Sequence, residues 1–561
     1  MPEGVERVGS VRAGVAAMHV LRDRGVRYAF GVPGESFLGL LDALYDTSDI
    51  QLVGTRHEGG AAFMADAVGK LTGMPAICMG TRGVGAANLA IGLHTAQQDS
   101  TPLLAFIGHV ETPFRHREAL QEVELASFLA PVTKWAVEAP TGERLPEIVA
   151  EAYRRSVTGR PGPVAVAVRG DILDEPAPGE PIPVTATPAT GVRPADAAAI
   201  VAALTNARHP LIIAGGGVLR ANATEVLVAL AEELVVPVMT VFRRHDIFPN
   251  DHPLYLGPLS FGAPPSVAAR AREADVVFAL GTRLSEVTTL GYTIPSPQAT
   301  LIQADVSPDV LGRTVPAAIA LAADAGEVIA ALRAIPTEPP SAARIAANLA
   351  DRQAYETGAT PPDRPAATEL VDPAVVVTEL RRQLPPEAIL TCDAGNFWGW
   401  VARYFRFLQP RTLLAPTSGA MGYAVPAAVA GALVTGSRAP VVALAGDGGF
   451  LMTGSELAVA AQLGLRLTCV VFDNALYGTI RLHQEREYPG RVAGTELWSP
   501  DFVRYGEAFG GLGIRVTCNA DVPDALRDAL AHPGIAVVSV AVARETIAVG
   551  TSLSAVAGSA R

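Results

Sequence analysis

One stretch constrains this chain more than any other: VVALAGDGGFLMTGSELAVAAQLGLRLTCVVFDNALYG, from Val441 to Gly478. It opens with an apolar run, Val441 to Ala445, of the kind that forms a buried strand. Gly446, Asp447 and Gly448 interrupt it. A helical segment follows from about Thr453 to Leu463, Gly464 closes it, and Leu467 to Phe472 reads as a second strand ending in Asp473-Asn474. Two parallel strands joined by a helix bring their C-terminal ends to one edge of a sheet, where open α/β folds bind ligands. Asp447 and Asn474 then stand side by side, both offering oxygen, as a hard cation such as Mg²⁺ or Ca²⁺ requires. The glycines around Asp447 (Gly446, Gly448 and Gly449) let backbone N–H groups approach a diphosphate near a helix N-terminus. Alone, Gly-Asp-Gly after a strand is more often an ordinary turn. The Asp-Asn at the next strand end raises it above one.

A chain of 561 residues is too long for one core, and about three domains are expected. With 49% hydrophobic and 18% charged residues the composition is globular, and a net charge of −12 offers no basic face to nucleic acid. Cys78, Cys392, Cys469 and Cys518 are scattered without metal-ligand spacing, which predicts free, mostly buried thiols in a reducing compartment. No apolar run is long enough to span a bilayer, and MPEGVERVGSVRAG lacks the apolar core of a signal peptide. A cytoplasmic protein with no membrane and no nucleic-acid partner is therefore expected.

In chain order, short strands alternate with helical segments: strands at Tyr28 to Phe30, Ile50 to Thr55, Ala76 to Met79, Leu103 to Ile107 and Val164 to Val168. Gly31-Val32-Pro33-Gly34 turns at the end of the first of these. Such alternation predicts doubly wound parallel sheets, and the fold class expected for the chain is α/β with three such domains. Glu58 follows a strand and precedes an Ala-rich helix, Gly60 to Leu71. A glutamate there is commonly only a helix-start residue favoured by the dipole. Pro176 to Pro194 and Pro336 to Pro365 read as linkers, the second with a helical middle from Ala342 to Tyr355. Between them, HPLIIAGGGVLR holds a strand ending in Gly215-Gly216-Gly217, a weak nucleotide signal without the full spaced-glycine fingerprint. Arg283 and Asp305 sit at further strand ends. VFRRHDIFPNDHP is dense in polar and basic residues and suggests no role. Beyond the second linker, a strand from Ala388 to Thr391 leads into Cys392-Asp393-Ala394-Gly395-Asn396, another phosphate-edge candidate. Thr417-Ser418-Gly419-Ala420-Met421-Gly422 precedes an Ala-rich helix beginning near Pro426.

Taken together these motifs carry a resemblance. The Gly-Asp-Gly to Asp473-Asn474 stretch resembles the thiamine-diphosphate-binding motif, which ends in Asn-Asn. RHEGGAAFMADAVGKLTG, GTRGVGAANLAIGL, DSTPLLAFIG, Leu120-Gln121-Glu122 and TGRPGPVAVAV occur in the order found in the pyrimidine-binding domain of acetolactate synthases. The chain is thus similar to the acetolactate synthase, pyruvate oxidase and benzoylformate decarboxylase family, and most of all to its acetolactate synthase-like members. The resemblance implies an N-terminal pyrimidine-binding domain at 1–180, a central domain at 190–335 and a C-terminal diphosphate-binding domain at 365–545. It implies thiamine diphosphate and Mg²⁺ as cofactors, the metal held by Asp447, Asn474 and the carbonyl of Leu476. Gly34, Asn396, Gly419, Gly446, Gly448, Gly449, Tyr477 and Gly478 join the cofactor-binding set, and Glu58, Gln121 and Met421 are the catalytic candidates. Glu58 matches the glutamate whose carboxylic acid, bonded to a ring nitrogen of the aminopyrimidine, favours the imino tautomer that deprotonates the thiazolium carbon. Met421 matches the apolar residue that holds the two cofactor rings in a folded V, and Gly419 the one whose carbonyl meets the aminopyrimidine. Some relatives bind FAD in the central domain. Gly215-Gly216-Gly217 without a full fingerprint leans against it here.

The implied activity is decarboxylation of a 2-oxo acid with ligation of the remaining fragment to a second carbonyl compound. The implied assembly is a homodimer or homotetramer with sites between subunits. Thr81 stands where benzoylformate decarboxylase has a histidine, and Glu111-Thr112 offers no counterpart to the His-His pair of pyruvate decarboxylase. By ungapped count His483 stands where the biosynthetic acetolactate synthases have a tryptophan that selects the second substrate. The segment Thr479 to Arg491 is therefore a candidate source of a different specificity, and equally a solvated helix face. Two alternatives remain: a simple 2-oxo acid decarboxylase releasing an aldehyde, and an inactive cofactor-binding regulator.

Overall fold

The computed structural model describes residues 9–185, 190–338, 340–361 and 370–559. The first residues of the N-terminal domain, parts of both linkers and the start of the C-terminal domain at 365 lie outside the described residues. Three six-stranded sheets account for the fold, and every strand in them runs parallel to its neighbours. Parallel strands need crossover helices, which cover both sheet faces, so their sequences are continuous apolar runs such as Leu103–His109 and Val441–Gly446.

The first sheet has the spatial order Gln51–Gly54, Tyr28–Gly31, Ala76–Thr81, Leu103–His109, Pro163–Arg169, Trp135–Glu138. The third repeats that topology with Leu413–Leu414, Ile389–Cys392, Val441–Gly446, Leu467–Asp473, Ile535–Ala541, Leu512–Val516. In both, the chain order is 2-1-3-4-6-5. The central sheet differs: Tyr255–Pro258, Val238–Thr240, Pro210–Ala214, Val276–Leu280, Thr300–Asp305, Ile319–Ala322, an order of 3-2-1-4-5-6. In each order the first strand and the next strand placed on its other side lead their connections in opposite directions, and ligands of open α/β sheets bind outside the strand ends at such a point. These points fall after Gly31 and Thr81 in the first sheet, after Ala214 and Leu280 in the second, and after Cys392 and Gly446 in the third.

Among the described residues the chain forms two compact units. One holds the residues up to 185 with 416–436 and 453–465. The other holds those of 190–415, 437–452 and 466–559. Within the second unit, the segment that suggested no role is buried and bonded. Asp246 accepts the N–H groups of Thr412 and Leu413, Arg243 donates to the carbonyl of Asp393, and its guanidinium lies 4.9 Å from the Trp398 ring centre. Burial pushes His245 down to about 3, so it stays neutral. The segment ties the loop after Val238–Thr240 to the phosphate-edge loop of the third sheet.

Several expectations need correction. The helix after Gly446 begins at Asp447, not Thr453: Asp447–Thr453 is helical, followed by a 3₁₀ turn Gly454–Glu456 and helix Leu457–Gln462. The first sheet has a strand that was not expected, Trp135–Glu138, which pairs outside Pro163–Arg169. The first linker starts with a strand, Pro176–Pro178, that pairs antiparallel with Ser10–Arg12. The chain continues past 545 into a hairpin, Thr546–Ala548 with Thr551–Ser552, and a helix, Leu553–Ser559. Cys78, Cys392 and Cys469 are buried free thiols and Cys518 is exposed.

The triple glycine has a packing reason. Gly217 N–H donates to the Gly281 carbonyl, and a Cβ at Gly215 would lie 2.3 Å from that oxygen and 2.5 Å from Cβ of Thr282. The two strand ends approach too closely for any side chain. Gly215→Ala is expected to destabilise by about 1–3 kcal/mol through overpacking, read as a lower melting temperature in flavin-free protein. An unchanged melting temperature would mean that the glycine serves a ligand instead.

Candidate functional site

In the second unit, the strands ending at Gly446 and Asp473 are neighbours with Gly446 opposite Phe472, which brings Asp447 and Asn474 to one edge. Asp447 is buried. Its Oδ1 accepts the N–H of Gly448 at 2.8 Å, and burial, with Asp473 nearby, pushes its carboxyl up to about 6. A buried carboxylate in such a place is stabilised by a cation. Asn474 Oδ1 accepts the N–H of Leu476 at 3.2 Å, which needs Ala475 in the left-handed region (φ 52°). Leu476 bridges Glu496 through its neighbours: Tyr477 N–H donates to Thr495 O, and Leu497 N–H to Ala475 O. The Leu476 carbonyl takes no part in that bridge. Asp473 accepts from Ser499 Oγ at 2.8 Å, and the same hydroxyl lies 3.4 Å from Asp447 Oδ2.

The glycines here are sterically required. A Cβ at Gly448 would meet the Tyr477 ring at 2.5 Å, and one at Gly449 would meet Asp393 Oδ2 at 2.4 Å. At Gly446 the nearest atom would be the Phe397 ring at 3.8 Å, leaving room. Asn396 is held at both ends of its amide, accepting from Thr479 Oγ1 at 2.9 Å and donating to Ile547 O at 2.8 Å. Gly478 opens helix Gly478–Glu487, on which Leu482 and Glu485 are buried while His483 is half exposed beside Glu487. The structure thus places His483 on the solvated face. Among the described residues no cluster of three His, Cys, Asp or Glu side chains is ready for a metal. One carboxylate, one amide and one carbonyl suit instead a hard cation that shares its remaining positions with a phosphate.

In the first unit, Glu58 is the first residue of helix Glu58–Thr72 and is buried. Its Oε2 accepts from Asn88 Nδ2 at 2.9 Å. The loop before it is held by a second buried carboxylate: Glu456 accepts the N–H of Arg56 at 3.2 Å and of His57 at 3.0 Å. His57 Nδ1 in turn accepts the N–H of Gly59 at 2.9 Å. The helix start is shaped around Glu456, because a Cβ at Gly60 would lie 2.4 Å from its Oε1. Gly34 lies where a Cβ would be 2.7 Å from that of Thr81. Gln121 is exposed with φ 61°, and its carbonyl accepts the N–H of Gly83. Gly419 is left-handed (φ 71°) with open space beyond its Cα, and Met421 is half-buried.

The structure therefore gathers Asn396, Gly446, Asp447, Gly448, Gly449, Asn474, Leu476, Tyr477 and Gly478 at one strand edge. Glu58, Gly34, Gln121, Gly419 and Met421 belong to the other unit. Sequence reasoning missed Asn88, Glu456 and Ser499. Glu456 follows Asp447 on the same helical stretch, but nothing local marks a partner four hundred residues earlier in the chain.

Residues 11–128 match the N-terminal TPP binding domain of thiamine pyrophosphate enzymes, 197–332 their central domain and 393–540 their C-terminal TPP binding domain. The chain belongs to the thiamine pyrophosphate enzyme family. It is 33% identical to a probable acetolactate synthase large subunit of Methanocaldococcus jannaschii, over 92% of this chain and 89% of the relative. It is 34% identical to an acetolactate synthase large subunit of Mycobacterium tuberculosis (92% and 85% covered) and 31% identical to the acetolactate synthase isozyme 2 large subunit of Escherichia coli (92% and 93% covered). It is an acetolactate synthase-like enzyme, and its class chemistry is thiamine pyrophosphate-dependent decarboxylation and carboligation. Matches to both TPP binding domains imply use of that cofactor.

Glu456 generates a pH dependence. Burial pushes its carboxyl up to about 7 against the opposing pull of the Arg56 and His57 N–H groups. The folded form then binds a proton more readily than the unfolded chain. Its stabilising effect is complete below the ordinary glutamate range and is lost as pH rises through about 7. Glu456→Gln keeps an oxygen for both N–H groups and does not titrate. Between about pH 4.5 and 7 the wild type is expected to lose melting temperature relative to the variant. Parallel curves would show that Glu456 titrates normally.

Proposed function

We propose that this chain decarboxylates a 2-oxo acid and ligates the remaining fragment to a second carbonyl compound, using thiamine diphosphate and Mg²⁺. The observation that supports this most is the pair Asp447 and Asn474 at the ends of adjacent parallel strands, with the Leu476 carbonyl left out of the nearby bridge. Asp447, Asn474 and that carbonyl would hold Mg²⁺ against a diphosphate. The N–H groups of the turn at Gly446 to Gly449 would face its oxygens. When bound, the cofactor supplies a nucleophilic carbon and an electron sink for the carbanion left by loss of CO₂.

The chain's own residues do the rest. Glu58, oriented by Asn88, would hold a proton at a ring nitrogen of the aminopyrimidine, and its burial would keep water from competing for that proton. Met421 would offer an apolar support to the rings, and the left-handed Gly419 would present its carbonyl to the pyrimidine. Gly34 would let the backbone come close, and Gln121, whose carbonyl accepts the N–H of Gly83, would contact the substrate. The domains run at 1–180, 190–335 and 365–545. The active assembly is a homodimer or homotetramer in the cytoplasm, its sites completed by two chains. Close backbone packing accounts for Gly215 and Gly217 without a flavin, which leans against tightly bound FAD in the central domain.

A panel of 2-oxo acids with thiamine diphosphate and Mg²⁺ tests this, measuring CO₂ release and products together. The expected result is CO₂ at half the amount of 2-oxo acid consumed when one acid serves as both donor and acceptor, with a carbon–carbon-ligated hydroxy-oxo product. Equal amounts of CO₂ and free aldehyde would make the chain a simple decarboxylase. No CO₂ from any acid would make it a regulator.

A further inference from the structure

Within the first unit lies a buried charge cluster that the chemistry above does not use. Lys70, in the last turn of helix Glu58–Thr72, sits between two fully buried carboxylates. Its Nζ is 2.6 Å from Asp66 Oδ2 and 2.5 Å from Asp99 Oδ2, and it donates to Tyr423 Oη at 3.1 Å. Tyr423 Oη donates to Asp66 Oδ2 at 2.7 Å. Asp99 Oδ1 accepts the backbone N–H of Thr417 at 2.8 Å and also its hydroxyl. The Lys70 ammonium lies 4.4 Å from the Tyr423 ring centre, and Phe63 packs edge-on against that ring.

Two features of this cluster need explaining. First, one ammonium faces two carboxylates, and a buried ion group is tolerated only when the remaining lone pairs are satisfied. The donors that complete it, Thr417 N–H and O–H and Tyr423 O–H, are the two ends of one short segment, Thr417–Tyr423. Second, Asp99 is the last residue of helix Arg82–Asp99, where the helix dipole disfavours an anion. It is held there by Lys70 and Thr417. Moving either end takes a hydrogen-bond donor away from a buried carboxylate that Lys70 also holds. Its middle is different. Gly419 and Gly422 are left-handed, no atom lies within 4 Å of a Cβ built on Gly419, and Met421 is half exposed. The segment is clamped at both ends, Ser418 Oγ lies 3.0 Å from Thr95 Oγ1, the Gly422 carbonyl accepts from Thr453 Oγ1 at 2.7 Å, and the open part is at Gly419.

We infer that Lys70, Asp66 and Asp99 are positioning residues that set the segment Thr417–Tyr423, and through it Gly419 and Met421, against the ring end of the cofactor. This rests on the reading that Gly419 and Met421 meet the cofactor rings. The helix that begins at the proton-holding Glu58 carries Lys70 in its last turn, so one rigid element places both the acid and the clamp.

Lys70→Met would strand two carboxylates and test folding more than position. The segment's own donors are removed instead, in Thr417→Val and Tyr423→Phe, with Met421→Ala in parallel. Calorimetric titration of the full-length, cofactor-stripped protein with thiamine diphosphate and Mg²⁺ is compared with titration by inorganic pyrophosphate and Mg²⁺, and melting temperature is followed in the apo-protein. Thr417→Val and Tyr423→Phe are expected to weaken thiamine diphosphate roughly 5- to 50-fold, part of the value of a buried hydrogen bond to a charged group. Pyrophosphate affinity is expected to stay unchanged, because its contacts lie at the Asp447 edge. Equal loss for both ligands, or a lower melting temperature with both affinities intact, would reduce the cluster to a structural role and overturn the inference. If Met421→Ala weakens thiamine diphosphate while the other two variants do not, this inference alone fails. If Met421→Ala also leaves it unchanged, the placement of the segment at the cofactor rings fails with it.

Discussion

Parallel strands buried on both faces leave their polar backbone ends only two places to go, and the chemistry of this chain gathers at one of them. In the central strands of the first and third sheets the bodies are mostly apolar, so residues with oxygen or charge to offer gather at the C-terminal edge. Asp393, Asp447, Asp473 and Asn474 are all of this kind. The topology selects among such ends. In the third sheet the reversal of strand order falls between the strands ending at Cys392 and Gly446, which is where Asn396 and Asp447 are found. The first sheet repeats this order, and Gly34 and Thr81 face one another at the equivalent place.

An edge alone does not hold a functional group still. Here that task falls to buried polar groups reaching across long stretches of sequence. Glu456 receives two N–H groups of the loop that ends at Glu58, Arg243 supports the carbonyl of Asp393, and Thr479 fixes the amide of Asn396. Each is a hydrogen bond whose loss would leave a buried group unsatisfied, a cost of about 1–3 kcal/mol. Such bonds define a geometry more sharply than apolar contact can. Close glycine contacts do the complementary work: Gly92 lets helix Arg82–Asp99 rest on Ala62 of the Glu58 helix, and Gly60 makes room for Glu456.

Much of this was legible in the sequence because it is local. An apolar run followed by Gly-Asp-Gly predicts the strand Val441–Gly446 and its polar end, and the same holds for Asp473-Asn474. The helix start at Asp447 was misjudged, since Gly448 and Gly449 look like punctuation until Tyr477 and Asp393 are seen to fill the space that side chains would need. Trp135–Glu138 was missed because it is a half-buried edge strand, lacking the apolar run of its neighbours. The polar segment at Arg243 to Asp246 was opaque for another reason: its partners, Thr412, Leu413 and Asp393, lie more than a hundred residues away. Glu456 was invisible on the same ground.

The central claim is that Glu58 is an acid held for the cofactor and not merely a residue that starts a helix. Proton–deuterium exchange at the thiazolium carbon of bound thiamine diphosphate isolates that role from substrate chemistry. In Glu58→Gln, which keeps size and the bond to Asn88 but cannot supply the proton, exchange is expected to slow by about 10²- to 10⁴-fold while cofactor affinity changes little. Exchange at the wild-type rate in a variant that still holds its cofactor would contradict the account and leave Glu58 as an ordinary helix N-terminal glutamate.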